Sequence, residues 1–268
     1  MKNLIYLLVV IFIGSACKNN TELSYEEPDA KVIFLHHSTG MNVYKGKREF
    51  LSGFSSRFEK YSVPMFLQQY NEENGTKYAI KEQNFPTGNP YPWNNYPYDY
   101  YNIWVKNAGH EPYMEEPTLE MLTKEYDVII FKHCFPVSNI LEDDSVPDIN
   151  SDKKTLANYK LQYTALKEKL HEFSETKFIV WTGAALVESK TTAENAKRAQ
   201  DFAKWVTNIW GAEEDNIYIW DFRKLQTDGG LYLPVEKAKN EWDSHLNPDF
   251  GEVAAKDFTN KIISVIEN

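Results

Sequence analysis

Two stretches far apart in the chain hold the side chains best suited to nucleophilic chemistry. The first is His36-His37-Ser38-Thr39-Gly40, which ends an apolar, β-branched run from Lys31 to His36 (KVIFLH). A serine held at a sharp exit from a buried strand presents its hydroxyl beside backbone N–H groups that are free to face a ligand. The second is Asp243-Ser244-His245-Leu246-Asn247-Pro248, in a loop ahead of the last helical pattern. A histidine beside an acidic residue is the general-base half of a nucleophilic site. Attack of a serine on a carbonyl needs a base for the hydroxyl proton, a third group to orient that base, and donors for the oxyanion. The group that orients His245 is open between Asp243, Glu241 and the backbone carbonyl of Trp242.

Each of these residues also has a structural reading. Ser38 can cap a turn, and His245 can bond the start of the last helix. His36 and His37 are adjacent, so in an extended strand they point to opposite faces and at most one faces the site. Cys134 reads as an inert buried residue. A second chemistry would gather His36 or His37, His133, Asp243 and His245 around zinc or manganese, but no HExxH or other tight ligand spacing is present. No metal and no cofactor is therefore assigned.

These side chains need strands and helices to position them. Besides 31–36, short buried runs occur at 77–81, 127–131 (DVIIF), 177–182 (KFIVWT) and 216–220 (NIYIW). They are nearly continuous rather than alternating, which favours a parallel sheet covered on both faces. Helical patterns lie between them. Residues 62–73 carry Pro64 in the first turn, and Leu156, Tyr159, Tyr163, Leu166, Leu170 and Phe173 form one apolar stripe. Ala196, Ala199, Phe202, Val206 and Ile209 form another. Asn247-Pro248 is a cap followed by proline at the first helical position of the last helix. Alternating strands and helices predict an α/β fold, a three-layer doubly wound sandwich of about five parallel strands, with ligands bound beyond the carboxyl ends of the strands. Residues 84–113 fit no element and are rich in Tyr, Pro and Trp. Trp93 and Tyr96 are the candidates there to face a substrate, with the 91–101 tyrosines either a lid or a packed loop.

Composition narrows the classes. Of 268 residues, 42% are apolar and 25% charged, as in an ordinary globular protein. Lys and Arg number 29 against 39 Asp and Glu, a net charge of −10 that argues against nucleic acid as a partner. The N-terminus is set apart: Lys2, an apolar run from Leu4 to Ile13, then Gly14-Ser15-Ala16-Cys17. That is a secretory signal pattern, too short to span a bilayer as a permanent helix. Cys17 directly after small residues resembles the lipobox of bacterial lipoproteins. That resemblance implies removal of 1–16, lipid on Cys17, a polar acidic tether over 17–29 and a domain over 30–268. The exported chain is then lipid-anchored in the cell envelope, the membrane is reached through the N-terminal lipid alone, and Cys134 is left as the one free thiol.

The order Ser38, Asp243, His245 on an α/β pattern resembles the SGNH/GDSL hydrolase family over roughly residues 30–267. Ser38 after the first strand matches the nucleophile position, with HHSTG in place of GDSL, and residues 243–248 match the late Asp/His motif. The run Thr192 to Trp205 after KFIVWTGAAL also looks like branches of this family. The resemblance implies a flavodoxin-like fold and ester hydrolysis through an acyl-serine, often removing acetyl groups from carbohydrate, with an acylated carbohydrate as the partner. Two motifs depart from the pattern. The family's Asp stands three residues before its His, where this chain has Trp242. The family's oxyanion Asn follows the third strand in a Gly-x-Asn-Asp turn, where this chain has Lys132-His133-Cys134-Phe135, with Asn139 further on. Gly88 or Asn89 can serve the second motif. A non-catalytic surface glycan-binding lipoprotein, stacking sugars on the aromatic insertion, is the alternative that the altered third motif favours.

Overall fold

The computed structural model describes residues 27–47, 61–92, 94–144, 146–212 and 215–268; Cys17, the leader ahead of it and Trp93 lie outside the described residues. The five apolar runs are strands: β1 (Ala30–His36), β2 (Tyr78–Asn84), β3 (Val128–Phe131), β4 (Lys177–Trp181) and β5 (Ile217–Trp220). All pair in parallel in the order β2-β1-β3-β4-β5. β1 and β3 are buried almost without a break, as strands covered on both faces must be, while β2 at the edge alternates half-buried and exposed residues along most of its length.

Among the described residues the α-helices are α1 (Ser38–Lys45), α2 (Ser62–Asn74), α3 (Pro97–Tyr100), α4 (Leu119–Leu122), α5 (Leu156–His171), α6 (Ala193–Trp205), α7 (Phe222–Thr227) and α8 (Pro248–Ile266). The pleat sorts the core into two halves. Ile33, Leu35, Ile129, Phe131, Phe178 and Val180 face Tyr159, Tyr163 and Phe202 of α5 and α6. Their alternating neighbours Val32, Phe34, Val128, Ile130, Ile179 and Trp181 face Val43, Val63, Phe258 and Ile262 of α1, α2 and α8. The stripe read from the sequence is the buried face of α5, and Asn247 caps α8 by accepting the Phe250 N–H at 2.8 Å.

The structure differs from the sequence reading in two places that bear on the site. Residues 84–113 contain α3 and a π-helical turn, Tyr101–Lys106, and Tyr91, Tyr96, Tyr100, Tyr101 and Trp104 are buried. The aromatics pack as core; they do not stand as an open surface. Residues 243–246 are not loop: β6 (Ala238–Asn240) and β7 (Asp243–Leu246) pair antiparallel as a hairpin. β7 is four residues long and alternates half-buried and buried side chains, a period too short to stand out by composition.

From β1 the chain crosses outward to β2 and then returns to the other side of β1 at β3. The strand order reverses there, and the crevice that such a switch opens lies beyond the carboxyl ends of β1 and β3. Among the described residues no helix is long and apolar enough to cross a membrane.

Candidate active site

The register of the central strands sets the first pair. Leu35 of β1 lies opposite Phe131 of β3, so Ser38 and Cys134, each three residues further on, leave the sheet side by side. Ser38 Oγ and Cys134 Sγ are 4.0 Å apart. Ser38 is the first residue of α1 and is exposed, so its N–H has no intrahelical acceptor. Gly40 permits this abrupt start, because a Cβ there would sit 2.5 Å from the His36 Cβ.

The second pair lies on β7, which packs against α1. Asp243 and His245 are two apart on a strand and share a side. The Asp243 Oδ1 accepts the His245 backbone N–H at 3.1 Å and meets the ring Nδ1 at 2.6 Å. The His245 backbone and ring donors, with Lys239 Nζ at 3.3 Å, hold the Asp243 carboxyl down at about 2. An ionised Asp243 accepts only, so Nδ1 is the donor and Nε2 is left as the basic nitrogen. Of the three groups weighed for orienting His245, Asp243 is the one bonded to the ring. The Glu241 backbone oxygen accepts from Ser189, and Trp242 is exposed.

The β3 exit joins the two pairs. Cys134 touches Ser38, and the ring of Phe135 meets that of His245 edge-on with 5.3 Å between centroids. Among the described residues no hydrogen bond links Ser38 Oγ to His245; such contacts commonly tighten only when substrate is bound.

The other predicted residues occupy separate positions. Gly88 (φ 114°) lies on the β2 exit, where Glu116, fully buried, accepts the N–H of Thr87 at 2.6 Å and that of Gly88 at 3.4 Å. Asn89 next to it is exposed. Asn139 Oδ1 accepts from Thr191 Oγ1 at 2.7 Å and Asn195 Nδ2 at 3.1 Å, tying the β3 loop to the start of α6. Tyr96 is 2% exposed, with the Lys154 ammonium 5.5 Å over its ring.

The residues of the metal reading lie apart. His36 lies on the α1 side between Phe34 and Tyr44, and burial pushes it down to about 3. His37 Nε2 is 2.6 Å from the Pro86 oxygen, and His133 is buried on the opposite face, edge-on to Tyr100 and Tyr163. Among the described residues no three His, Cys, Asp or Glu side chains gather to hold an ion.

Four supporting residues escaped the sequence reading. Asn95, buried at φ 52°, accepts the Cys134 N–H on its backbone oxygen at 2.9 Å and donates from Nδ2 to the Phe85 oxygen at 2.5 Å. Asp99, 1% exposed, accepts the Asn94 N–H at 2.9 Å and the Tyr91 hydroxyl at 3.1 Å; burial pushes its carboxyl up to about 6. Lys132, 2% exposed, donates from Nζ to Cys134 Sγ at 3.5 Å, and burial pulls its pKa down. Glu116 braces the β2 exit as described. The signal for Asn95 and Asp99 was present: Pro97 opens a helix and Asp99 stands in its first turn.

Neither a scan against protein-family models nor a search of curated proteins finds a match. Solved structures do share the architecture. A lipase/acylhydrolase from Enterococcus faecalis is 14% identical, with a TM-score of 0.52, over 88% of this chain and 96% of that one. A mutant of an acetyl-xylooligosaccharide esterase from Geobacillus is 14% identical, also with a TM-score of 0.52, over 88% of this chain and 95% of that one. The fold is that of the SGNH hydrolases. Its five-stranded parallel sheet, flanked by helices, puts Ser38 at the carboxyl end of the first strand and the Asp243–His245 hairpin against the helix that Ser38 begins.

Proposed function

We propose that this chain is a serine ester hydrolase that acts on acylated carbohydrate through an acyl-Ser38 intermediate. His245 Nε2 takes the Ser38 proton as Oγ attacks the ester carbonyl, and Asp243 holds the imidazole in the Nδ1–H tautomer. The Ser38 N–H, orphaned at the start of α1, faces the developing oxyanion. His245 then protonates the departing sugar hydroxyl, and water, deprotonated by the same nitrogen, releases the acid. One observation carries the reading: an exposed serine at the switch point of the sheet, beside a strand that bears a bonded Asp–His pair. The names of both fold neighbours, an acylhydrolase and an acetyl-xylooligosaccharide esterase, favour an ester of a carbohydrate.

The test is hydrolysis of an aryl acetate, and acetate release from acetylated xylooligosaccharides, by residues 18–268 as wild type, Ser38→Ala and His245→Ala. Loss of activity by about 10³-fold or more in both variants is expected; activity that survives both changes overturns the reading. The N-terminal pattern adds export and lipidation at Cys17 to the proposal. Labelling with a radioactive fatty acid that disappears in Cys17→Ser supports it, and equal labelling of the variant sinks it.

A further inference from the structure

A tetrahedral intermediate on Ser38 needs more than one donor for its oxyanion, and removal of a single donor typically costs 10²–10³ in rate. At the neighbouring strand exits the usual donors already have acceptors. The Cys134 N–H goes to the Asn95 oxygen, the Thr87 N–H to Glu116, and the Asn95 amide to the Phe85 oxygen. Cys134 Sγ is differently placed, 4.0 Å from Ser38 Oγ.

Behind the sulfur stands Lys132. Its Nζ donates to Sγ at 3.5 Å, and among the described residues no carboxylate pairs with it. A hydrogen bond arriving from Lys132 occupies one side of the sulfur. Between Ser38 Oγ and Cys134 Sγ either atom can be the donor, and a thiol hydrogen turned to the Ser38 side leaves the Ser38 hydrogen for His245. A buried amine head whose side-chain partner is a thiol, with burial opposing its charged form, is a costly arrangement for the fold. A residue kept at such a cost, two positions from the reacting serine's neighbour, belongs to the chemistry.

We propose that Cys134 is a catalytic residue whose S–H donates to the oxyanion formed at Ser38, with Lys132 as the positioning residue that fixes the thiol rotor and polarises it. No bond forms to sulfur: the Ser38 proton passes to His245, and the S–H–oxygen hydrogen bond strengthens as charge develops. The proposal rests on the serine-esterase reading above.

The experiment measures kcat and KM on an aryl acetate for wild type, Ser38→Ala, Cys134→Ala, Cys134→Asn and Lys132→Met, with thermal melting of each. Cys134→Ala is expected to lower kcat by about 10- to 100-fold at nearly constant KM, less than an amide donor because S–H is the weaker one. Cys134→Asn, which returns an amide donor, is expected to regain most of that loss. Lys132→Met is expected to lower kcat while raising the melting temperature, a split that a purely structural lysine would not give. If Ser38→Ala is inactive but Cys134→Ala matches wild type, the thiol proposal alone falls. If Cys134→Ala and Cys134→Asn are equally slow, the sulfur acts through packing and the proposal falls. If Ser38→Ala is as active as wild type, the esterase reading and this proposal fall together.

Discussion

Asp99 offers a measurable test of how the site is held. Its carboxylate is 1% exposed and accepts from Asn94 N and Tyr91 Oη, and burial raises its pKa from 3.8 to about 6. The folded state therefore binds the proton more tightly than the unfolded chain. Stability from this group is fully present below pH 3.8 and is lost as pH rises through 6. The difference of about 2 units corresponds to about 3 kcal/mol at neutral pH, with roughly half of it lost by pH 5. Asp99→Asn cannot ionise and lacks this limb, although it starts from a lower baseline because one acceptor oxygen has become a donor. Urea unfolding of both proteins at pH 4, 5, 6 and 7.5 gives the difference directly. It is expected to shift by about 2.5 kcal/mol in favour of the variant between the ends of that range. A difference that stays flat to within about 0.5 kcal/mol would refute the burial argument. The consequence for the site is direct, because Asp99 fixes the turn whose Asn95 oxygen receives the Cys134 N–H.

Three further outcomes are expected. Gly40→Ala forces a Cβ to within 2.5 Å of the His36 Cβ; it should cost about 1–3 kcal/mol in urea unfolding and misplace Ser38. Asp243→Asn leaves the hairpin in place but favours the wrong tautomer of His245, and kcat should fall by about 10²–10⁴ with little change in KM, as seen for the triad acid of a serine protease. Because the Asp243 carboxyl sits at about 2, its contribution to stability is present above pH 3.8 and is lost as pH falls through 2. The stability gap between wild type and Asp243→Asn should therefore shrink as pH falls below 4.

The strands and long helices were legible because burial on two faces leaves continuous apolar runs and single stripes. Val128–Phe131 and the α5 stripe need no partner to be seen. Ser38 and His245 stand out in the sequence by residue type and order; the structure puts Ser38 at the start of α1 and His245 within β7. What could not be read was anything set by pairing across the sheet. Nothing local in Lys132-His133-Cys134 says that Cys134 lies beside Ser38; that follows from Leu35 being matched to Phe131. The aromatic insertion misled for a related reason. Tyr96, Tyr100 and Trp104 look like a sugar-facing surface in composition, yet α5 and β3 offer them an apolar face that no single segment reveals. The β6–β7 hairpin is too short to carry a pattern, so the sequence alone places His245 in a loop.

The same register argument explains why the third exit alternates as it does. Phe131 faces α5, so Lys132 turns to the α1 side, His133 back toward Tyr163, and Cys134 again to the side of Ser38. Lys132 and Cys134 therefore share a side because they are two apart, and His133 is buried because it lies between them. One residue inserted between Phe131 and Lys132 would exchange these roles, pointing the lysine into the aromatic half of the core and carrying the thiol away from Ser38. A slip of that kind flips every side chain beyond it. Such an insertion should abolish Ser38-dependent turnover and lower stability together. Lys132→Met, which respects the register, should separate the two, slowing turnover while stabilising the fold. That separation is what distinguishes a lysine placed for chemistry from one placed by the sheet.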